Sequence, residues 1–379
     1  MGKRVVVAPD KFKGSLTAAQ AAAWLSAGLA SASADGDAGV EIVRVPVADG
    51  GDGTVDAAVA AGYKRLDVTV TGPAGQPVAA SLALRDDTAV IEAAQACGLV
   101  LLPPGELAPL TAGTRGVGEL ILAAVAEGAR RIILGVGGSA TTDGGAGLAQ
   151  ALGARLADDA GRELPPGGAA LARLAALDVS GMLDLSGIEF VLASDVDNPL
   201  LGPSGAAAVY GPQKGASPDQ VLLLEAGLAR WADAAEAAGL GSARDAPGAG
   251  AAGGLGFAAV LFLGARMRPG IEVLLELAGF AALLAGARLV ITGEGALDAQ
   301  TLRGKAPLGV VRAVAAHDPG IAVVAVAGRS HLTADELHAA GIARAYALTD
   351  LEPDIARCIA GAGPLLERLG ERIAADWLR

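Results

Sequence analysis

The chain has 379 residues, of which 52% are hydrophobic and only 3% aromatic, and it carries a formal net charge of −12. That length exceeds one ordinary core and predicts two domains built from small, closely packed α/β elements. The acidic balance, with no run of Lys or Arg able to track a phosphate backbone, argues against nucleic acid and anionic membranes as partners.

The first residues hold an apolar run far shorter than the core of a signal peptide, so export is not expected. Cys97 and Cys358 are distant from each other and lack metal-ligand spacing, which fits reduced thiols in a cytoplasmic protein. Residues 248–265 are uncharged and approach spanning length, yet their dense glycines read as a loop leading into a buried helix.

In chain order, residues 4–8 read as a buried strand, followed by a polar loop and an Ala-rich helix over 18–30 with a capping box from Thr17 to Gln20. Residues 41–47 predict a second strand, 48–53 a loop and 54–61 a helix. Past Tyr63 the alternation at 66–71, 78–84 and 88–92 predicts an antiparallel meander. Helix-strand-loop-helix texture fills 113–153, then 156–164 reads as a hairpin, 190–193 as a buried strand and 218–240 as a helix. From residue 281 the β-α alternation returns, with strands at 288–291, 321–327 and 344–348, helices at 306–316 and 333–340, and a closing helix. The simplest account is a doubly wound, Rossmann-like parallel-sheet domain built from both chain ends, 1–63 and 281–379. A second, mixed α/β domain, 64–280, is inserted into it, with a ligand cleft expected between the two. Two consecutive domains are the alternative.

In parallel α/β sheets the loops that follow strands carry chemistry. After the first strand, Lys11, Lys13 and Ser15 precede a helix and suit an anion. After the second, Asp49 and Asp52 stand among glycines, where a carboxylate can hold a cation or take a proton, or simply cap the next helix. Asp195 follows the strand at 190–193; its surroundings lack the Gly and distal Glu of a calcium loop. The stretch 292–305 contributes Glu294, Asp298, Thr301 and Lys305 but no P-loop motif.

GVGGSATTDGG, residues 135–145, begins with the loose dinucleotide pattern G-x-G-x-x-A. Asp143 would repel a bare pyrophosphate, whereas with Mg²⁺ an acid beside Ser139, Thr141 and Thr142 is welcome, as in phosphoryl transfer. An NAD(P)-dependent dehydrogenase would use Asp158 or Asp159 for the ribose, but these fall in the expected hairpin turn. A non-catalytic sensor of small anions is a further alternative, and one that gains nothing from so many carboxylates.

Together these loops resemble the bacterial glycerate kinase family, the glycerate 2-kinase type unrelated to P-loop kinases. The matching stretches are APDKFKGSL (8–16), DGGDG (49–53), GGSATTDGG (137–145), DVDNPL (195–200), GPQKG (211–215), GAAGGLG (250–256) and ITGEG (291–295) through Lys305, in the family's order over nearly the whole chain. Lys11 stands where the family more often has Ser, and Thr142 where it more often has Asn. The resemblance implies ATP-dependent, Mg²⁺-assisted phosphorylation of D-glycerate by a two-domain cytoplasmic enzyme, with 2-phosphoglycerate as product and 3-phosphoglycerate as the alternative. A homo-oligomer is left open. Fitted to that chemistry, Lys13 and Ser15, with Lys11 beside them, would hold the glycerate carboxylate. Gly137, Gly138, Ser139, Thr141 and Asp143 would form the ATP site. Asp195 is the preferred base and Asp49 the second; Lys305 would neutralise the moving phosphoryl group, and Glu294 and Asp298 would meet Mg²⁺.

Overall fold

The computed structural model describes residues 4–33 and 40–378. Among them the strands, in chain order, are β1 (Arg4–Pro9), β2 (Glu41–Arg44), β3 (Lys64–Thr71), β4 (Pro77–Arg85), β5 (Thr88–Glu92), β6 (Arg131–Gly135), β7 (Arg155–Ala157), β8 (Ala176–Asp178), β9 (Glu189–Ala193), β10 (Arg266–Arg268), β11 (Ala287–Leu297), β12 (Ala322–Ser330) and β13 (Arg344–Ala347). The chain divides into two compact units: Met1–Asp49, Asp56–Gly62 and Ile271–Arg379 form the first, and Gly50–Val55 with Tyr63–Gly270 the second.

The first unit is a five-stranded sheet in the order β13-β12-β11-β1-β2, and every pairing in it is parallel. Successive side chains of a strand point to opposite faces, so Val5 and Val7 enter one core with Leu289, Ile291 and Val324. Val6 and Ala8 enter the other, with Val290, Val323 and Ala325. Burial on both faces explains why these strands read as continuous apolar runs. Helices Ala18–Ser33 and Ala362–Trp377 cover the first face, meeting where Gly28 and Gly370 let backbone approach backbone. The helix Ala306–His317 packs on the other face. Sequence alternation puts the chain's return at residue 281, but Ile271, Leu275 and Phe280 already lie in this unit's core.

The second unit holds a six-stranded mixed sheet, β10-β9-β6-β5-β4-β3. The meander β3-β4-β5 is antiparallel, and β5-β6, β6-β9 and β9-β10 are parallel. The expected hairpin at 156–164 is only partly formed. Its turn closes through Asp158 N to Arg162 O and Leu164 N to Leu156 O, but the ladder of β7 runs with β8. The uncharged segment 248–265 becomes the buried helix Ala251–Leu263, with left-handed backbone at Ala252, Gly253 and Gly254. No helix among the described residues is long and apolar enough to cross a membrane.

Trp231, fully buried, stacks on Phe262 at 5.2 Å and donates its indole N–H to Gly144 O at 3.0 Å. Trp231→Ala removes the ring and orphans that carbonyl, at an expected cost of about 3–5 kcal/mol. Equilibrium urea unfolding measures it; an unchanged midpoint would mean that the ring adds nothing to the folded unit.

Candidate active site

In an open parallel sheet, ligands gather beyond the carboxyl ends of strands where the strand order reverses. In the first unit this place lies between β1 and β11, because β1 leads to β2 on one side and has β11 on the other. The loop after β1 is tied there by Asp10 N donating to Gly293 O at 2.8 Å. Phe12 anchors it by burying its ring and closes its turn through Phe12 N to Leu16 O and Ser15 N to Phe12 O. Lys13 is left exposed and Lys11 and Ser15 half-buried, as an anion-binding loop requires. Gly295 runs alongside: a Cβ there would stand 3.3 Å from Lys13 N.

The stretch after residue 291, read as a loop in the sequence, instead continues β11 to Leu297, paired with β12 through Glu294↔Ala327 and Leu297↔Ser330. Glu294 is therefore a strand residue, held on rigid backbone. Its Oε1 accepts from Thr301 Oγ1 at 2.7 Å, and its Oε2 lies 3.6 Å from Lys305 Nζ. Asp298 lies just past the strand, its Oδ1 accepting from Gln300 N at 2.8 Å and Thr301 N at 3.3 Å. Burial raises the Glu294 carboxyl above its ordinary range, opposed by Thr301 and Lys305. Asp10, which sequence reasoning passed over, is the more perturbed acid. Burial pushes it up to about 7, with Lys11 pulling down and Asp49 and Glu294 adding repulsion.

In the second unit the glycine loop follows β6. Gly137 and Gly138 reach its surface, while Ser139, Thr141, Thr142 and Asp143 are buried. Its bareness has a structural cause. A Cβ on Gly135 would stand 2.6 Å from Gly50 O, one on Gly137 2.4 Å from Gly51 Cα, and one on Gly138 2.1 Å from Asp52 Oδ1. The glycines of the DGGDG stretch thus lie along those of the loop, which is why Gly50–Val55 belongs to this unit and Asp49 to the other. Glu92, the buried acid ending β5, fastens the stretch by accepting from Gly53 N at 3.0 Å and Val55 N at 3.2 Å. Asp195, exposed just beyond the end of β9, is oriented by Gly270 N donating to its Oδ1 at 2.9 Å. Gly50 passes close by: a Cβ there would stand 2.5 Å from Ala193 O.

Two residues expected in the ATP site are engaged within the loop. Asp143 turns its carboxylate inward: Oδ2 accepts from Thr114 N and Oγ1, both at 2.9 Å, and from Gly147 N at 3.2 Å, while Oδ1 accepts from Gly145 N at 3.2 Å. It braces the loop to the helices Arg115–Ala126 and Ala146–Ala151. Thr141 is fully buried, and its carbonyl accepts from Lys214 Nζ at 2.5 Å. A helix-adjacent acid reads as a ligand group in sequence, where its backbone donors are invisible. Asp158, the acid an NAD reading would use, pairs with Arg162 at 2.9 Å.

The first unit carries an open parallel sheet with a cationic loop, and the second a glycine loop beside an oriented carboxylate, features of α/β enzymes. The model of the glycerate kinase family matches residues 5–378. A glycerate kinase of Bacillus subtilis is 44% identical over 98% of this chain and 97% of its own, and a glycerate 2-kinase of Escherichia coli is 41% identical over the same shares. A crystal structure from Salmonella typhimurium LT2, described as a candidate glycerate kinase 2, superposes with a TM-score of 0.84 at 38% identity, covering 99% of this chain and 98% of that one. The chain belongs to the glycerate kinase family.

Asp10 gives the site a pH signature. Its carboxyl has an ordinary value of 3.8 but titrates near 7 in the fold, so between these values the folded state keeps a proton that the unfolded chain has lost. Stability attributable to Asp10 therefore falls as pH rises through that window and levels off above it. Asp10→Asn abolishes the effect, so the variant gains on wild type with rising pH, by at most about 1.4 kcal/mol per pH unit. Urea titrations in metal-free buffer from about pH 4 to about pH 8 read the difference; a difference independent of pH would show an ordinary carboxyl.

Proposed function

We propose that the chain transfers the γ-phosphoryl group of ATP to D-glycerate and releases 2-phosphoglycerate. The observation that carries this reading is the likeness, over 98% of the chain, to a protein named glycerate 2-kinase. Two loops, each taken within its own unit, support it. Lys13 and Ser15, with Lys11, form the cationic end of the first unit's loop and are assigned to the glycerate carboxylate, since anchoring the acid group decides which hydroxyl is presented. Gly137 and Gly138 lie at the surface of the loop and, with Ser139, are assigned to the ATP phosphates; the Gly137 N–H itself donates to Gly50 O at 3.3 Å.

Asp195 is assigned as acceptor of the hydroxyl proton, because Gly270 N fixes one of its oxygens and the carboxylate remains exposed. Asp49 is the second choice. Lys305 is assigned to charge on the moving phosphoryl group.

Mg²⁺ is tested by the donors present. Among the described residues no three His, Cys, Asp or Glu side chains could hold a metal by themselves, but Mg²⁺ with a nucleotide needs only one or two carboxylates besides phosphate oxygens and water. Glu294 and Asp298 fit that need: Glu294 has Oε1 on Thr301 Oγ1 and Oε2 3.6 Å from Lys305 Nζ, and Asp298 has Oδ1 on the turn amides. The ion supplies neutralisation of phosphate charge. The crowding of Asp10, Asp49 and Glu294 suits a cation, since their mutual repulsion is then relieved.

Incubation with ATP, Mg²⁺ and D-glycerate, followed by phosphorus NMR, is expected to show ADP and 2-phosphoglycerate growing together. A 3-phosphoglycerate resonance would reverse the substrate orientation, and absence of turnover by folded protein would remove the reaction. Asp195→Asn is expected to lower kcat by about 10²–10⁴-fold, the range of positioned acid-base groups, with an unaltered melting temperature. Near-wild-type turnover would hand the proton to Asp49.

A further inference from the structure

The GPQKG stretch has no role in the mechanism above, yet it sends a cation into the interior. Lys214, only 2% exposed, ends the short 3-10 turn Pro212–Lys214. Its Nζ lies 3.1 Å from Ser139 Oγ and 2.5 Å from Thr141 O. Gly215, at φ +94°, lets the chain turn away immediately afterwards. A buried ammonium is costly unless it is hydrogen-bonded and compensated. Here the compensation includes Asp143, whose charge acts on Lys214 from the same loop.

We propose that Lys214 is the positioning residue of the nucleotide loop, tying its two sides together from beneath and turning the Ser139 hydroxyl proton away from itself as a donor. The argument rests on the reading of Gly137–Gly138–Ser139 as the phosphate-binding segment. An ammonium has three donors and no acceptor. Ser139 Oγ must therefore accept from Lys214, and its single O–H proton is directed elsewhere. The bond to Thr141 O fixes the far side of the loop, so Ser139 is set between two points pinned by one nitrogen.

The charge state bears on the same contact. Burial lowers the Lys214 ammonium to about 8, opposed by Cys97 and Asp143. Cys97 is itself pushed up to about 12 by burial. A neutral amine has a lone pair that can accept the Ser139 proton, reversing the bond and withdrawing the donor.

The test measures MgATP binding by titration calorimetry, together with KM for each substrate, in Lys214→Met, Ser139→Ala and the double variant. Lys214→Met is expected to weaken MgATP binding at least about tenfold, the lower range for a hydrogen bond to a charged group, with the glycerate KM within about twofold of wild type. Ser139→Ala is expected to weaken MgATP binding too, and the double variant to be little worse than Lys214→Met, because the two residues act as one unit. Losses that multiply, or a Lys214→Met variant that binds MgATP normally while Ser139→Ala does not, would overturn the role of Lys214. If Ser139→Ala alone leaves MgATP binding intact, the loop is not the nucleotide site and the reading beneath the proposal fails. Should Lys214→Met not fold, wild type decides. Its MgATP affinity is expected to fall as pH rises through about 8, and this fall to vanish in Ser139→Ala; a fall that persists in Ser139→Ala overturns the proposal.

Discussion

The second unit depends on how closely bare backbone can approach bare backbone around residues 135–145. Gly50 and Gly51 lie against Gly135 and Gly137, and Gly253 lies so near Thr141 O that a Cβ would stand 1.9 Å from it. A side-chain carbon at any of these places meets main chain rather than a flexible tip, and main chain cannot step aside without moving a strand or helix end. Stretches far apart in sequence are thus interlocked by contacts that only glycine permits. The loop's shape is set before any ligand arrives, which is the condition for donors to act without reorganising.

Charge does the remaining work of holding that loop. Asp143 gathers four donors from Thr114 and the amides of Gly145 and Gly147, Glu92 gathers the amides of Gly53 and Val55, and Lys214 ties Ser139 to Thr141. Each is a buried polar group whose hydrogen bonds replace those of water, and each would leave several orphaned groups if removed. The cost of burying these groups is offset by definition: a glycine-rich segment that could wander is held at fixed points.

The β-α alternation was legible in the sequence because doubly buried strands leave unmistakable apolar runs, and 4–8, 190–193 and 321–327 fall within or beside observed strands. The meander showed itself through its turns. What could not be read were partners. Glu294 reads as a loop residue because Thr-Gly-Glu-Gly breaks the apolar run with two glycines and an acid, yet pairing with β12 overrides local preference there. Asp143 and Thr141 read as ligand groups because their neighbours in sequence are small and polar; the donors to the Asp143 carboxylate and the Thr141 carbonyl include groups from elsewhere in the unit. Lys214 and Asp10 lay in quoted stretches, and their burial has no local signature. The one hint for Glu92 was an acid closing the otherwise apolar run Thr-Ala-Val-Ile-Glu.

A chain of net charge −12 that receives anions has to overcome its own field, and the scale of screening shows how. At physiological ionic strength the field of exposed charges fades over about 8 Å, so most of the surface acids are not felt within a loop. On the proposed assignment, what a phosphate or carboxylate meets is decided by the groups within that distance: Lys11 and Lys13 beside β1, and the loop around Gly138 after β6. Backbone donors carry no net charge and lose nothing to salt in the way a lysine patch does. On the proposed assignment, a buttressed glycine loop and two lysines would receive anions on an acidic surface without the basic patch that would also draw nucleic acid and membranes.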